Sequence, residues 1–226
     1  MSLIQDPSLA RLLADLHARS DAQIEALRGF EQGRVGQAHP PTEDEIRRFR
    51  SDKLVALDRD KAEFCYQLCR ATDARRIVEV GTSYGVSTLY LAAAVQDNIA
   101  ESGGHGLVIG TEYEPEKVAA AKAQFEAVGL SQYIRLKQGD LRETLREIEG
   151  PIDVLLVDIW IGMARPALEL VAPHLRPGAV VICDNTEVHR SEYADYFAFL
   201  NDPANGFQTM TLPFRGGLEL SVRRRA

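Results

Sequence analysis

The sequence has 226 residues, of which 45% are hydrophobic, and this is enough for one large α/β domain with a full core. Acidic residues outnumber basic ones by 33 to 26, so the formal net charge is −7, and such a balance argues against a nucleic-acid partner. Three unpaired cysteines, no leader-like N-terminus and no run of about 18 apolar residues predict a cytoplasmic protein without a membrane span.

The N-terminal segment is predicted to be helical. Asp6-Pro7-Ser8 is a helix start, leucines recur at helical spacing after it, and Gly29 is the predicted stop. Residues 33–41 are rich in Gly and Pro and are predicted to form a loop. Thr42 followed by Glu45 predicts a capping box. We expect this apolar segment to be a lid or an oligomer contact, and the predicted assembly is a homodimer.

From residue 75 onward, apolar strands alternate with helices. The predicted strands are 77–80, 107–111, 133–137, 153–159 and 179–183, and the predicted helices are 58–71, 86–95, 115–128, 141–149, 163–174 and 190–200. Continuously apolar strands indicate a parallel sheet covered on both faces. Two last strands, in 207–214 and 218–224, are separated by a short Arg-Gly-Gly turn and predict an antiparallel hairpin.

The first strand of this pattern runs through a glycine-bearing turn, Gly81 to Gly85, into a helix that begins near Val86. This arrangement leaves unpaired backbone N–H groups and a positive helix end at the carboxyl edge of the sheet. Glycine lets a ligand approach the backbone closely. An ordinary strand-to-helix turn is the simpler interpretation, but the acidic residues that follow favour a nucleotide-type cofactor site.

Two acids follow the next strands. Glu112, at the end of the second strand, is placed to accept hydrogen bonds from both ribose hydroxyls of an adenosine, although a solvated loop acid is the alternative. Asp140, after the third strand, either accepts from an exocyclic amine such as that of adenine or caps the helix that begins at Leu141. The sequence leaves both alternatives for Asp140 open.

Three oxygen-bearing side chains follow the fourth and fifth strands. Asp158 comes at the end of the fourth strand, and Asp184 and Asn185 follow the fifth. If these strands are neighbours, their ends lie about 5 Å apart, and two unpaired carboxylates at that distance repel. A divalent cation would remove the repulsion, and oxygen ligands suit Mg²⁺, Ca²⁺ or Mn²⁺. The alternative is that one Asp binds a ligand amine and the other caps the following segment.

The ordered motifs of residues 53–223 resemble the class I S-adenosylmethionine-dependent O-methyltransferases, in particular their catechol / caffeoyl-coenzyme A group. The motifs are VEVGTSYGVST, GTEYEPEKVAAAKAQFEAVGL, LKQGDLRETL, IDVLLVDIW, LVAPHLRPGAVVICDNT and GLELSVRR. The resemblance implies a Rossmann-like, seven-stranded, mostly parallel sheet with an antiparallel last strand and helices on both faces. The predicted organisation is therefore an N-terminal helical arm, residues 1–57, and one methyltransferase domain, residues 58–226.

The resemblance also implies roles for individual residues. Glu79 and Gly81 would line the methionine part of S-adenosyl-L-methionine, Ser87 would bind its carboxylate, and Glu112 would hold its ribose. Asp140 and Trp160 would lie near the adenine, and Asp158 is a further candidate for cofactor binding. The three protein ligands of the family's divalent metal correspond to Asp158, Asp184 and Asn185.

The acceptor side departs from the family pattern. Ile161 replaces the lysine that commonly follows the first metal aspartate by three residues, and Ile159 replaces a frequent histidine. The region around Met210 contains no acid that would grip a catechol hydroxyl. Asp158 and His189 therefore remain the candidate catalytic residues. The acceptor is predicted to be a small hydroxylated molecule of unspecified identity.

Two other functions remain open at this stage. The altered acceptor positions also suit a protein that binds S-adenosylmethionine without acceptor chemistry. A nicotinamide-dependent oxidoreductase is less well supported, because the turn reads Gly81-x-x-x-Gly85 rather than G-x-G-x-x-G.

Overall fold

The computed structural model describes residues 3–32, 42–188 and 190–224. The chain divides into two compact units, Met1–Ala56 and Leu57–Ala226. The role of the first unit as a lid or an oligomer contact stays a prediction. Within the described ranges, no helix is long and apolar enough to cross a lipid bilayer.

The N-terminal unit contains three helices: α1 (Pro7–Asp21), α2 (Ile24–Gln32) and α3 (Glu43–Arg50). Asp6 caps α1 by accepting from the Ser8 and Leu9 N–H groups. The predicted capping box at Thr42 is confirmed. The predicted stop at Gly29 is wrong, because α2 continues through it and the chain turns earlier, after α1. The predicted loop 33–41 lies outside the described residues.

The second unit is built on one seven-stranded sheet in the order β3-β2-β1-β4-β5-β7-β6. Its strands are β1 (Arg76–Val80), β2 (Leu107–Glu112), β3 (Ile134–Gln138), β4 (Ile152–Val157), β5 (Leu175–Asp184), β6 (Phe207–Leu212) and β7 (Leu218–Arg223). β7 is the one strand of this sheet with the reversed direction, since it pairs antiparallel with both β5 and β6. The predicted Rossmann-like fold with an antiparallel last strand is confirmed.

Helices lie around this sheet. They are α4 (Arg59–Ala71), α5 (Val86–Ser102), α6 (Pro115–Ala127), α7 (Leu141–Thr144), α8 (Ile161–Val171) and α9 (Ala194–Asn201). The predicted boundaries shift in two places that matter for the site. β4 ends at Val157, so Asp158 lies beyond the strand, and β5 begins at Leu175 rather than at residue 179.

The central strands are buried, as their apolar sequences predict. Ile77, Val78 and Val80 of β1 have no exposed surface, and β1 lies between β2 and β4. Because β1, β2, β4 and β5 are parallel, their carboxyl ends meet at one edge of the sheet. That edge carries the glycine turn and the acidic residues singled out above.

Candidate active site

The two glycines of the turn after β1 leave no room for a Cβ atom. Gly81 has a φ of +97°, and a Cβ at this position would lie 2.0 Å from the carbonyl oxygen of Asp158. Gly85, at the N-cap of α5 with a φ of +84°, would place a Cβ 2.5 Å from the ring of Phe125. The backbone therefore passes close to its neighbours. The unpaired backbone N–H groups in the first turn of α5 lie at the carboxyl edge of the sheet.

The carboxylate of Glu79 is buried under this turn and accepts hydrogen bonds from three hydroxyl groups. The Ser87 Oγ donates at 2.6 Å, the Thr82 Oγ1 donates at 2.9 Å, and Thr88 donates as well. Burial raises the pKa of Glu79, and the three hydroxyl donors oppose that rise. The hydroxyl of Ser87 is thus engaged inside the protein, so Ser87 offers a ligand its backbone N–H at the start of α5.

Glu112 lies at the end of β2, beside the same turn. Its Oε2 accepts from the Ser83 N–H at 2.7 Å, and its Oε1 accepts from the Glu114 N–H at 2.8 Å. Each carboxylate oxygen has two lone pairs, so both oxygens keep acceptor capacity for a ligand. The turn and the acid predicted to hold a ribose are therefore joined by a hydrogen bond.

Of the two alternatives for Asp140, the structure contains the helix cap. Its Oδ1 accepts from the Arg142 N–H at 2.9 Å at the start of α7. The Arg142 guanidinium also pairs with it, and this hydrogen bonding holds the pKa of Asp140 below its usual range. Trp160, which precedes α8, is 41% exposed. Contact of either side chain with an adenine stays a prediction.

The ends of β4 and β5 are neighbours, as predicted. Val157 pairs with Cys183, so Asp158 directly follows β4 and Asp184 is the last residue of the adjacent parallel strand β5. Asp184 is buried, with 6% of its surface exposed, whereas Asp158 is only partly buried. Asn185 has a left-handed backbone with a φ of +56°, and its Nδ2 donates to the Asp184 Oδ2 at 2.7 Å.

A lysine from α4 also enters this cluster, and the sequence analysis missed it. Lys61 has no exposed surface, and its Nζ lies 2.5 Å from the Asp184 Oδ1 and 3.5 Å from the Asn185 Oδ1. Asp58 Oδ2 is 3.7 Å from the same nitrogen. The available signal was helical spacing, since Lys61 lies one turn before Cys65 on the buried face of α4.

Two acids dominate the electrostatics of this edge. Burial raises the pKa of Asp158 well above its usual range, the charges of Asp184 and Glu79 add to the rise, and Lys61 opposes it. Burial also raises the pKa of Asp184, where the charge and hydrogen bond of Lys61 are the main opposing influence. A raised pKa makes a carboxylate a stronger base, so Asp158 is suited to accept a proton from a bound hydroxyl.

The two positions where the family carries polar groups, Ile159 and Ile161, add no second base. Ile159 and Ile161 pack against the apolar core beside β4, so the position of the family lysine carries no polar group here. His189 lies outside the described residues, and its catalytic role stays a prediction. Within the described parts of the chain, no three His, Cys, Asp or Glu side chains form a group that could hold a metal ion.

Comparison with known proteins identifies methyltransferases as relatives of this chain. The profile of a family described as "Methyltransferase domain" matches residues 78–186. A catechol O-methyltransferase from Niastella koreensis is 25% identical over 135 residues, which cover 58% of this chain and 58% of the relative. The chain thus spans little more than half the length of that relative.

Solved structures show the same fold. Cofactor-bound Rv0187 from MTB superimposes with a TM-score of 0.72 at 20% identity, covering 100% of this chain and 94% of the other. The O-methyltransferase from Bacillus cereus in complex with SAH gives a TM-score of 0.68 at 19% identity, covering 84% and 95%. With the motifs in their order along the sequence, the chain is thus similar to the class I S-adenosylmethionine-dependent O-methyltransferases, and it shares their fold.

Proposed function

We propose that the chain transfers the methyl group of S-adenosyl-L-methionine to a hydroxyl group of a small molecule. The observation that carries the proposal is the position of Glu112, whose carboxylate is hydrogen-bonded to Ser83 of the glycine turn at 2.7 Å. An adenosine ribose lying across that turn would meet a fixed acceptor. The names of the related proteins support the reaction class.

The cofactor would be held from three sides. Backbone N–H groups at the start of α5, including that of Ser87, would bind its carboxylate, because a helix N-terminus favours an anion. The negative charge of Glu79 beneath Gly81 would favour the cationic methionine part. Glu112 would accept from the ribose hydroxyls, and Asp140 and Trp160 are the proposed neighbours of the adenine.

The chemistry is mainly a matter of positioning. Methyl transfer from a sulfonium is an in-line displacement with a neutral thioether as leaving group, so it needs a nucleophile held close and in line. Asp158 follows β4 next to the glycine turn, where the Asp158 carbonyl oxygen lies against Gly81, and the residue is partly buried. We assign to Asp158 the role of proton acceptor for the attacking hydroxyl, and His189 is the second candidate.

A divalent cation at Asp158, Asp184 and Asn185 remains a prediction from the family resemblance. Carboxylate and amide oxygens would suit Mg²⁺, Ca²⁺ or Mn²⁺. The donor set does not fit such an ion as it stands, because the ammonium of Lys61 lies 2.5 Å from the Asp184 Oδ1. No step of the proposed reaction is therefore assigned to a metal.

Cofactor binding tests the proposal directly. Trp160 is the single tryptophan of the chain, so its fluorescence should change on titration with S-adenosylmethionine, and calorimetry should give the affinity. Glu112→Gln should weaken binding at least about tenfold, since it removes one charged acceptor. The exposed Glu116→Gln is the matched control. No heat or fluorescence change at about 1 mM cofactor would contradict the proposal.

A second candidate is a binding protein without acceptor chemistry. Ile159 and Ile161, packed against the core, favour it because they replace polar groups of the family. It predicts normal cofactor affinity and no S-adenosylhomocysteine from a broad panel of phenols and catechols. Cofactor-dependent methylation of any panel member decides against it.

Assembly and location remain predictions. The homodimer, the absence of nucleic-acid and membrane partners, and the cytoplasmic location rest on the sequence alone. Light scattering of the full chain and of a variant lacking residues 1–40 tests the predicted role of the arm. A dimer that persists without the arm would contradict that role.

A further inference from the structure

The most unusual group near the proposed acceptor site is the buried ammonium of Lys61. A lysine is almost never fully buried unless its charge is paired, because removing an ammonium from water is costly. Lys61 has no exposed surface, and its closest partner, the Asp184 Oδ1, lies at 2.5 Å. The pair joins the start of α4 to the end of β5.

The surroundings of Lys61 match the three donors of an ammonium group. Besides Asp184, the Asn185 Oδ1 lies at 3.5 Å and the Asp58 Oδ2 at 3.7 Å. These three oxygens come from α4's N-cap and from the end of β5, so they converge on a single cation from two elements. Two of the three side chains are the ones that the family resemblance assigns to a metal.

The other polar atoms of this cluster are also engaged. The Asn185 Nδ2 donates to the Asp184 Oδ2 at 2.7 Å, which turns the amide oxygen of Asn185 toward Lys61. Arg215, in the turn between β6 and β7, bonds to Asp58 through its guanidinium, with its Nε donating to the Oδ2 at 3.2 Å. The network therefore holds the oxygens around Lys61 in one arrangement.

We infer that the ammonium of Lys61 takes the position and the neutralising role of the divalent cation, so that this chain organises Asp184 and Asn185 without a metal. A magnesium ion needs these oxygens at about 2.0–2.1 Å in an octahedral shell. Lys61 already uses the Asp184 Oδ1 and faces the Asn185 Oδ1. A second cation at the same oxygens would meet the repulsion of a buried ammonium.

Lys61 would act in catalysis as a positioning residue. It is fully buried, so it acts through Asp184 and Asn185 and does not touch the acceptor. This part of the inference rests on the proposed methyl transfer, whereas the claim about metal binding does not. The two claims can therefore fail separately.

Binding of Mn²⁺ to the purified full chain, followed by the paramagnetic resonance signal of free Mn²⁺, tests the metal claim. Wild type should show no saturable site with a Kd below about 1 mM. Lys61→Met removes the ammonium but keeps the length of the side chain, and it should bind Mn²⁺ at least about tenfold more tightly than wild type. Lys61→Met with Asp184→Asn should lose the gained site.

Lys137→Met is the matched control. Lys137 lies in β3, and its Nζ is bonded to the carbonyl oxygens of Thr144 and Glu147, away from the Lys61 cluster. This variant should gain no Mn²⁺ site. A wild-type Mn²⁺ site that disappears in Asp184→Asn overturns the inference. So does a folded Lys61→Met that binds no Mn²⁺. If Lys61→Met does not fold, the wild-type measurement and its Asp184→Asn partner decide the question.

Activity gives an independent readout. With any acceptor that supports methyl transfer, wild type should keep its rate in excess chelator, and added Mg²⁺ should not raise it. Loss of activity in chelator with recovery on Mg²⁺ overturns the inference. Failure of wild type to bind S-adenosylmethionine contradicts the proposed function instead, and it leaves the Mn²⁺ result standing.

Discussion

The two halves of the carboxyl edge of the sheet stabilise their acids in different ways. At the ends of β1 and β2, neutral donors surround the carboxylates, with three hydroxyls on Glu79 and two backbone N–H groups on Glu112. At the ends of β4 and β5, an ammonium meets Asp184. Neutral donors fix a carboxylate without cancelling its charge, so the first half stays attractive to a sulfonium, whereas the second half carries its own counter-ion.

This difference matches the way in which the sequence relates to the methyltransferase family that it resembles. The half with neutral donors keeps the family motifs, including VEVGTSYGVST and the acid at Glu112. The half with the ammonium contains Ile159 and Ile161 in place of polar family residues. Three experiments test this comparison, from the largest expected effect to the smallest.

Removal of the acid partner of Lys61 should have the largest effect on stability. Asp184→Ala leaves a buried ammonium without its closest counter-charge, and breaking a buried pair from one side costs about 3–5 kcal/mol. Urea denaturation followed by circular dichroism measures the loss in free energy of unfolding. Asp184→Ala combined with Lys61→Met should recover much of it, because no lone charge then remains.

One result of these denaturation experiments would contradict the predicted loss of stability. A loss below about 1 kcal/mol in Asp184→Ala is what an exposed ion pair would give. That result would mean that Asp58 and Asn185 hold the ammonium adequately alone. The contrast between the two halves would then be one of degree.

Glu79→Gln tests the half with neutral donors through the pH dependence of the free energy of unfolding. The pKa of Glu79 is raised in the folded chain above the ordinary value of 4.5, so folding favours the protonated carboxyl. The stability that this provides is present below that value and is lost as pH rises through the folded pKa. The stability of wild type relative to Glu79→Gln, measured by urea denaturation, should therefore fall as pH rises from 4.5 through the folded pKa of Glu79.

An unchanged difference across that range would contradict the raised pKa of Glu79. The three hydroxyl donors would then offset the burial completely. Thr144→Ser serves as a control, because it changes a hydroxyl residue outside the glycine turn and should leave the pH dependence unchanged.

Asp140→Ala should have the smallest effect and separates its two interpretations. Loss of the helix cap alone costs about 1 kcal/mol and leaves the affinity for S-adenosylmethionine unchanged. Asp140→Ser should retain most of the capping, since serine is also a favoured N-cap. Weaker cofactor binding in both variants, measured by calorimetry, would instead support a contact with the adenine.

Most of the fold follows from local patterns. Apolar strands alternating with helices predict a parallel sheet, and the short turn before Leu218 predicts the final hairpin. The start of β5 was missed because Arg176-Pro177-Gly178 is typical of a loop. Tertiary pairing overrides that preference, since Leu175 pairs with Ile152 across a register shift.

Part of the site could be predicted from the sequence, because the carboxyl ends of parallel strands meet at one edge of the sheet. That rule predicts that Asp158 and Asp184 are neighbours, and their strands do pair. Lys61 was not predictable in the same way, because its partner Asp184 is 123 residues away along the chain. Helical spacing indicates that Lys61 faces inward, but it does not indicate which strand end it meets.

The covalent attachment of Lys61 to the chain has a practical consequence. A side chain is supplied in fixed stoichiometry at translation and cannot be washed out, exchanged or poisoned by a heavier ion. Inhibitors that chelate a bound metal ion through two oxygen atoms would have no such ion to bind here. Selective compounds would instead need shape and hydrogen bonds suited to the side chains around Asp158.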